Sequence, residues 1–226
     1  MIELAALIVT LGFYLAARRL SSWGKDHPLL SPPVLTMLAV VVVLLICKIP
    51  YKEYFQSVRP IHFMLGPATV SLALPLYNQL EKLKKVLAPL TVALVIGSTV
   101  GILSAVFFGV LFGLPHEVLL ALTPKSVTTP IAMGIAEKIG GAPSLATVFV
   151  MITGIAGAII ATTVMKLVRV QDPVVKGFAM GLAAHGLGTV RAFQIGEIAG
   201  AFAGLAMALN GLMTAILVPL LLSFIP

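Results

Sequence analysis

The stretch "LTPKSVTTPIAMGIAEKIGG", Leu122 to Gly141, sets Lys125, Ser126, three threonines and two prolines between long apolar runs. Pro124 and Pro130 each lack an N–H donor, and Pro130 disfavours helix at Thr129. Thr129-Pro130 therefore reads as an N-cap with proline at the first helical position, and "IAMGIAEKI" then runs as helix. Backbone groups freed by such a break cannot face lipid, so the break must line protein or a water-filled cavity. A helix N-terminus there offers free N–H groups and a positive dipole end, which suit an anion. Lys125, Ser126, Thr128 and Thr129 together form a candidate carboxylate site. The plain alternative is a loop with a capping threonine and an interfacial lysine.

Composition places this break in a membrane. The chain has 226 residues, 59% hydrophobic and 10% charged, against about 25% charged in a soluble domain. Its mean hydropathy is +1.10. About seven or eight segments approach the roughly 20 apolar residues needed to cross a bilayer: about 2–20, 33–50, 61–80, 86–114, 118–137, 143–165, 174–193 and 197–225. The expectation is an all-α integral membrane protein, one polytopic domain over 1–226. It comprises N-terminal helices over 1–59, candidate repeat units over 60–115 and 116–170, and a broken segment plus helix over 171–226. The first segment lacks a basic n-region and an A-x-A site, so it reads as a retained helix. The single Cys47 gives no disulfide framework. The net charge of +7 does not indicate nucleic acid, because the basic residues lie at segment ends, where they set orientation.

Three basic loops mark the cytoplasmic side: Arg18, Arg19 and Lys25; Glu81 to Lys85; and Lys166 to Lys176. If the last two share a side, the opening stretch dips in and returns. Lys48, Lys52 and Arg59 would then lie outside, against the positive-inside rule, so a discontinuous helix that crosses is the open alternative. An internal echo adds to the picture. "LGPATVS" (65–71) and "LTPKSVT" (122–128) share L-x-P-x-[TS]-V-[ST], each followed by a second proline, Pro75 or Pro130, and a Glu-Lys pair. Paired Pro/Gly-interrupted apolar segments of this kind point to an inverted-repeat transporter architecture.

The second polar stretch is "GLAAHGLGTVRAFQIGE", Gly181 to Glu197. His185, Thr189 and Arg191 interrupt an apolar run, and ionisable residues at membrane depth are functional candidates by default. Gly186 and Gly188 allow a break and a close backbone approach. Arg191 has the geometry to hold a carboxylate bidentately, or to snorkel to the interface while His185 serves packing. In the third stretch, Pro67, Thr69 and Ser71 mirror the opening one, with a kinked packing helix as the alternative. Glu197 is a candidate for coupling protons or for pairing with Arg191. Gly196, Gly200 and Gly204, like Gly97 and Gly101 or Gly109 and Gly113, read as close-packing faces. No catalytic or nucleotide-binding motif and no metal-spaced Cys/His set appears, so neither an enzyme nor a cofactor is expected.

"PKSVTTPIAMGIAEKIGG", "AMGLAAHGLGTVRA" and "LGPATVSLALPLYNQLEKLKK" resemble the LrgB/CidB family of bacterial inner-membrane proteins, including its YohK-type branch, over about 30–223. The resemblance implies two functions. One is an antiholin-like modulator of murein hydrolase export and lysis, working with a small LrgA/CidA-type partner. The other is a carrier of small carboxylates, since plastid relatives move glycolate and glycerate and some bacterial ones are tied to pyruvate uptake. The residue reading leans toward the carrier. The carboxylate would sit near Ser126 to Thr129, helped by Lys125 and Arg191, with His185 or Thr189 donating to a hydroxyl or keto oxygen and alternating access moving one bundle against the other. Thr128→Val or Arg191→Ala is then expected to abolish transport. A homo-oligomer in the bacterial inner membrane is also expected. A scaffold regulating a hydrolase is disfavoured by the short loops.

Overall fold

The computed structural model describes residues 2–24, 30, 32–64, 67, 70, 71 and 73–222. They form eleven helices and, among the described residues, no strand. The chain divides into two compact units, Met1–Ser71 and Leu72–Pro226.

In the first unit, α1 (Ile2–Trp23) packs against α2 (Pro32–Ile46) and α3 (Tyr51–Ser57), with α4 (Arg59–Phe63) following. Thr10 Oγ1 and Tyr54 Oη share a hydrogen bond of 3.0 Å between α1 and α3.

The second unit carries α5 (Ala73–Tyr77), α6 (Leu80–Leu111), α7 (His116–Leu122), α8 (Thr129–Ile139), α9 (Pro143–Leu167), α10 (Pro173–Ile195) and α11 (Glu197–Leu222). Among the described residues three helices are long and apolar enough to cross a membrane: α6, α9 and α11. Their surfaces are reversed relative to a water-soluble fold. On α6, Ile96, Val100, Phe107 and Leu111 are more than half exposed while Ser98 is buried. Leu212 and Ile216 are likewise exposed on α11 while Asn210 and Thr214 are buried. Apolar rims around a polar interior belong in lipid.

Two of the expected spans are broken up. Segment 118–137 is α7, of 7 residues, a turn, and α8, of 11. At about 1.5 Å per residue neither covers the roughly 30 Å hydrocarbon core. Within 61–80 the described helices are likewise short, α4 and α5 having 5 residues each.

Local chemistry explains the ends. Asp172 caps α10, its Oδ1 accepting from Val174 N at 2.7 Å and Val175 N at 3.3 Å, with Pro173 in the first turn. Gly140 ends α8 in the left-handed region at φ 84°, which a side chain would resist. Packing rests on small residues. A Cβ at Gly177 or Gly181 would run into the carbonyl oxygens of Ala199 and Ala203, so α10 and α11 meet backbone to backbone. Gly200 lies against the Phe193 ring, Gly97 against Leu182 and Gly109 against Leu119, as the glycine spacing predicts. Gly113 and Gly196 depart from that pattern: neither has a neighbour for a Cβ, Gly113 sits past the end of α6 at φ 65°, and Gly196 is the residue between α10 and α11. Leu90 and Leu94 of α6, Val174 and Phe178 of α10, and Phe202 and Ala206 of α11 form the core beside these contacts.

Candidate functional site

The break predicted in the opening stretch is present over 123–128. Thr123 Oγ1 donates to Leu120 O at 2.8 Å, and Lys125 N and Val127 N bond the carbonyls of Leu122 and Pro124, each three residues back. Val127 is wholly buried among Ala121, Ala132, Ala136, Ala146 and Val150, and it pins the turn. The cap falls one residue earlier than the spacing predicts. Thr128 is the N-cap, with ψ 150°, and Thr129 is the first helical residue, with Pro130 following. The Thr128 side chain makes no cap hydrogen bond.

The pinned turn presents Lys125 and Ser126 to a partly open cavity of about 460 Å³ lined by α6, α9, α10 and α11. Ser98, Thr123, Thr153, Asn210 and Thr214 supply its other polar groups; Gly101, Ile152, Ile160 and Leu182 are among its apolar walls. Among the described residues lining it, Lys125 is the one ionisable side chain, half-buried, with Nζ 3.4 Å from Ser126 Oγ. A single ammonium facing hydroxyls within apolar walls favours an anion with a polar group of its own, because an isolated charge there is costly until paired.

The other predicted residues are placed elsewhere. The break in α10 falls at Ala184 and His185, whose φ, ψ of 40°, −127° is strained for a residue with a Cβ. The following Gly186 and Gly188, expected to make the break, do not adopt positive φ. Gly188 does give close approach, since a Cβ there would meet Met180 O. His185 is buried, and its Nε2 pairs with Val150 O of α9 at 2.9 Å. Thr189 Oγ1 donates to His185 O at 2.8 Å and lies 3.9 Å from Met207 Sδ. Arg191 is half-buried, with Nη1 donating to Gln194 Oε1 at 2.6 Å. Thr128, Thr129, His185, Thr189 and Arg191 are not in the cavity lining. Glu197 is exposed at the first position of α11. Of the proline breaks, Pro124 is buried in the turn, Pro130 opens α8 and Pro75 lies inside α5; Pro67 is exposed. Thr69 and Lys25 lie outside the described residues, and Ser71 ends the first unit. Among the described residues no three His, Cys, Asp or Glu side chains gather to hold a metal.

Ser98, Thr153, Asn210 and Thr214 were not singled out from sequence. A signal existed for Asn210: it is the one amide in the 26-residue apolar helix α11, and amides in lipid seek interhelical partners.

A family model described as LrgB-like family matches residues 10–224. The uncharacterized protein YxaC of Bacillus subtilis is 35% identical over 97% of this chain and 95% of its own length. YwbG of the same organism is 34% identical over 99% of both chains. The antiholin-like protein LrgB of Bacillus cereus is 31% identical over 97% of this chain and 95% of its own. No solved structure matches.

Proposed function

Because the chain belongs to the LrgB-like family, we propose that it is an antiholin-like protein of the bacterial inner membrane, the role that the name of its Bacillus cereus relatives gives them. One observation carries this reading: the 31% identity to those relatives extends over 97% of this chain and 95% of theirs. On this reading the protein is a multi-pass, non-enzymatic membrane protein that restrains murein hydrolase activity. It works with a small LrgA/CidA-type membrane partner and as a homo-oligomer. The test is lysis of a strain lacking the chain. Faster detergent-triggered lysis, reversed by the wild-type chain, is expected; unchanged lysis and hydrolase release would overturn the reading.

A second reading is favoured by the cavity. A lone lysine among hydroxyls and an amide fits a carrier of small carboxylates such as glycolate, glycerate or pyruvate, the reading toward which the sequence itself leans. Alternating access across a duplicated architecture of about seven or eight segments, with Glu197 coupling protons, belongs to this second proposal. Its test is uptake of these labelled acids by proteoliposomes holding the chain alone and with its partner. Saturable uptake lost in Lys125→Ala supports the carrier. No uptake by folded protein in either preparation rejects it.

A further inference from the structure

Asn210 closes one hydrogen-bond knot across the second unit. Its Nδ2 donates to Ser126 O at 3.1 Å and to Leu182 O at 3.0 Å. Its Oδ1 accepts from Ser98 Oγ at 2.7 Å and from Thr214 Oγ1 at 3.3 Å. A carboxamide has two N–H donors and two acceptor lone pairs, so the group is fully used. The residue is 1% exposed. Both carbonyls belong to breaks: Ser126 lies in the turn between α7 and α8, and Leu182 lies just before the non-helical Ala184 and His185. Where a helix is interrupted inside an apolar medium, its freed carbonyls need partners from elsewhere. One side chain, carried on a third helix and anchored to α6 through Ser98, serves both.

We propose that Asn210 is a positioning residue that ties the two breaks into one unit and so sets the shape of the cavity beside Lys125. An asparagine that merely glued two apolar helices together would need one neighbour. Here both donors reach backbone at broken segments, and the acceptor is held from a fourth direction. Removing the amide leaves two carbonyls without their donor at once, so the breaks loosen together. This inference stands apart from the choice between lysis control and anion transport.

The test is hydrogen–deuterium exchange of the full chain in lipid nanodiscs, comparing wild type with Asn210→Leu. Amides over 123–129 and 183–189 report the breaks, and 146–158 of α9 serves as reference. Both breaks are expected to exchange about tenfold faster, with the reference unchanged. Acceleration at one break alone, at neither, or equally along α9 would overturn the proposal. Should Asn210→Leu not fold, Ser98→Ala decides. It removes the 2.7 Å anchor on Oδ1 and leaves both donors in place. Both breaks should then quicken by one shared factor, about threefold; a change at one break alone or at neither overturns the tie.

Discussion

The two breaks of the second unit differ in what they leave open. The turn over 123–128 is built by Pro124 and pinned by Val127, and it holds Lys125 and Ser126 at a cavity wall. The kink in α10 is built on a strained His185, whose ring and carbonyl are both engaged, by Val150 O and by Thr189 Oγ1. Both interrupt an apolar segment and both carry polar side chains. The first leaves its charged group facing space, whereas the second spends its polar atoms on holding its own shape. On the carrier proposal the first break is the ligand site, its ammonium held, among the described residues, only by a 3.4 Å bond to Ser126 Oγ, and the second is a structural joint.

The sharpest way to break this contrast is Lys125→Ala. If the cavity holds an anion, uptake of glycolate by proteoliposomes should fall about 100-fold, the loss expected for one charge-assisted partner. Retained uptake would remove the turn from the site. Next comes a sign reversal at the joint. His185→Ala loses the ring's bond and keeps the strained φ of 40°, so it should destabilise by about 2 kcal/mol. His185→Gly loses the same bond but relieves the strain. It should melt above His185→Ala in detergent, against glycine's usual cost in a helix. Equal melting points would show that the joint stores nothing. Gly154→Ala then probes the seat of the ring, since a Cβ there would stand 2.6 Å from His185 Cε1. A loss of about 1–3 kcal/mol is expected, measured by the same melting curves. The smallest effects fall on residues that the sequence marked most strongly. Thr128 makes no cap bond and neither it nor Arg191 lines the cavity. Thr128→Val should therefore change stability by less than about 0.5 kcal/mol, Arg191→Ala, which gives up its bond to Gln194, by about 1 kcal/mol, and both should leave glycolate uptake within about twofold. Abolished uptake in either would restore the broader site that the sequence predicts.

Much of this was legible before any coordinates. Pro124 and Pro130 announced the first break because proline acts through its own backbone, wherever it sits. The apolar composition announced the membrane, and the glycine spacing announced the close contacts at Gly97, Gly109 and Gly200 but not those at Gly177 and Gly181. The second break was legible only as a region. Glycine is the default host for unusual backbone, so Gly186 and Gly188 drew the assignment. The strain instead fell on His185, held there by Val150 across the interface with α9, a tertiary cause with no local trace. Hydropathy alone reads 118–137 as one span; the prolines within it are what foretell the two short helices found there. Asn210 escaped notice because charge marks cost in lipid more loudly than an amide does. The four partners that give it meaning come from remote positions, apart from Thr214 one turn away.

The bare contact between α10 and α11 bears on how the chain is made. α10 is absent from the helices apolar enough to cross on their own, whereas α11 is among them. The face that α10 turns to its partner carries Gly177 and Gly181, set against main-chain carbonyls. A nascent α10 leaving the translocon alone would meet lipid with His185, Thr189 and Arg191 and with two glycines that bury nothing. Covering that face is therefore the work of α11, and α10 depends on its partner to be at home in lipid.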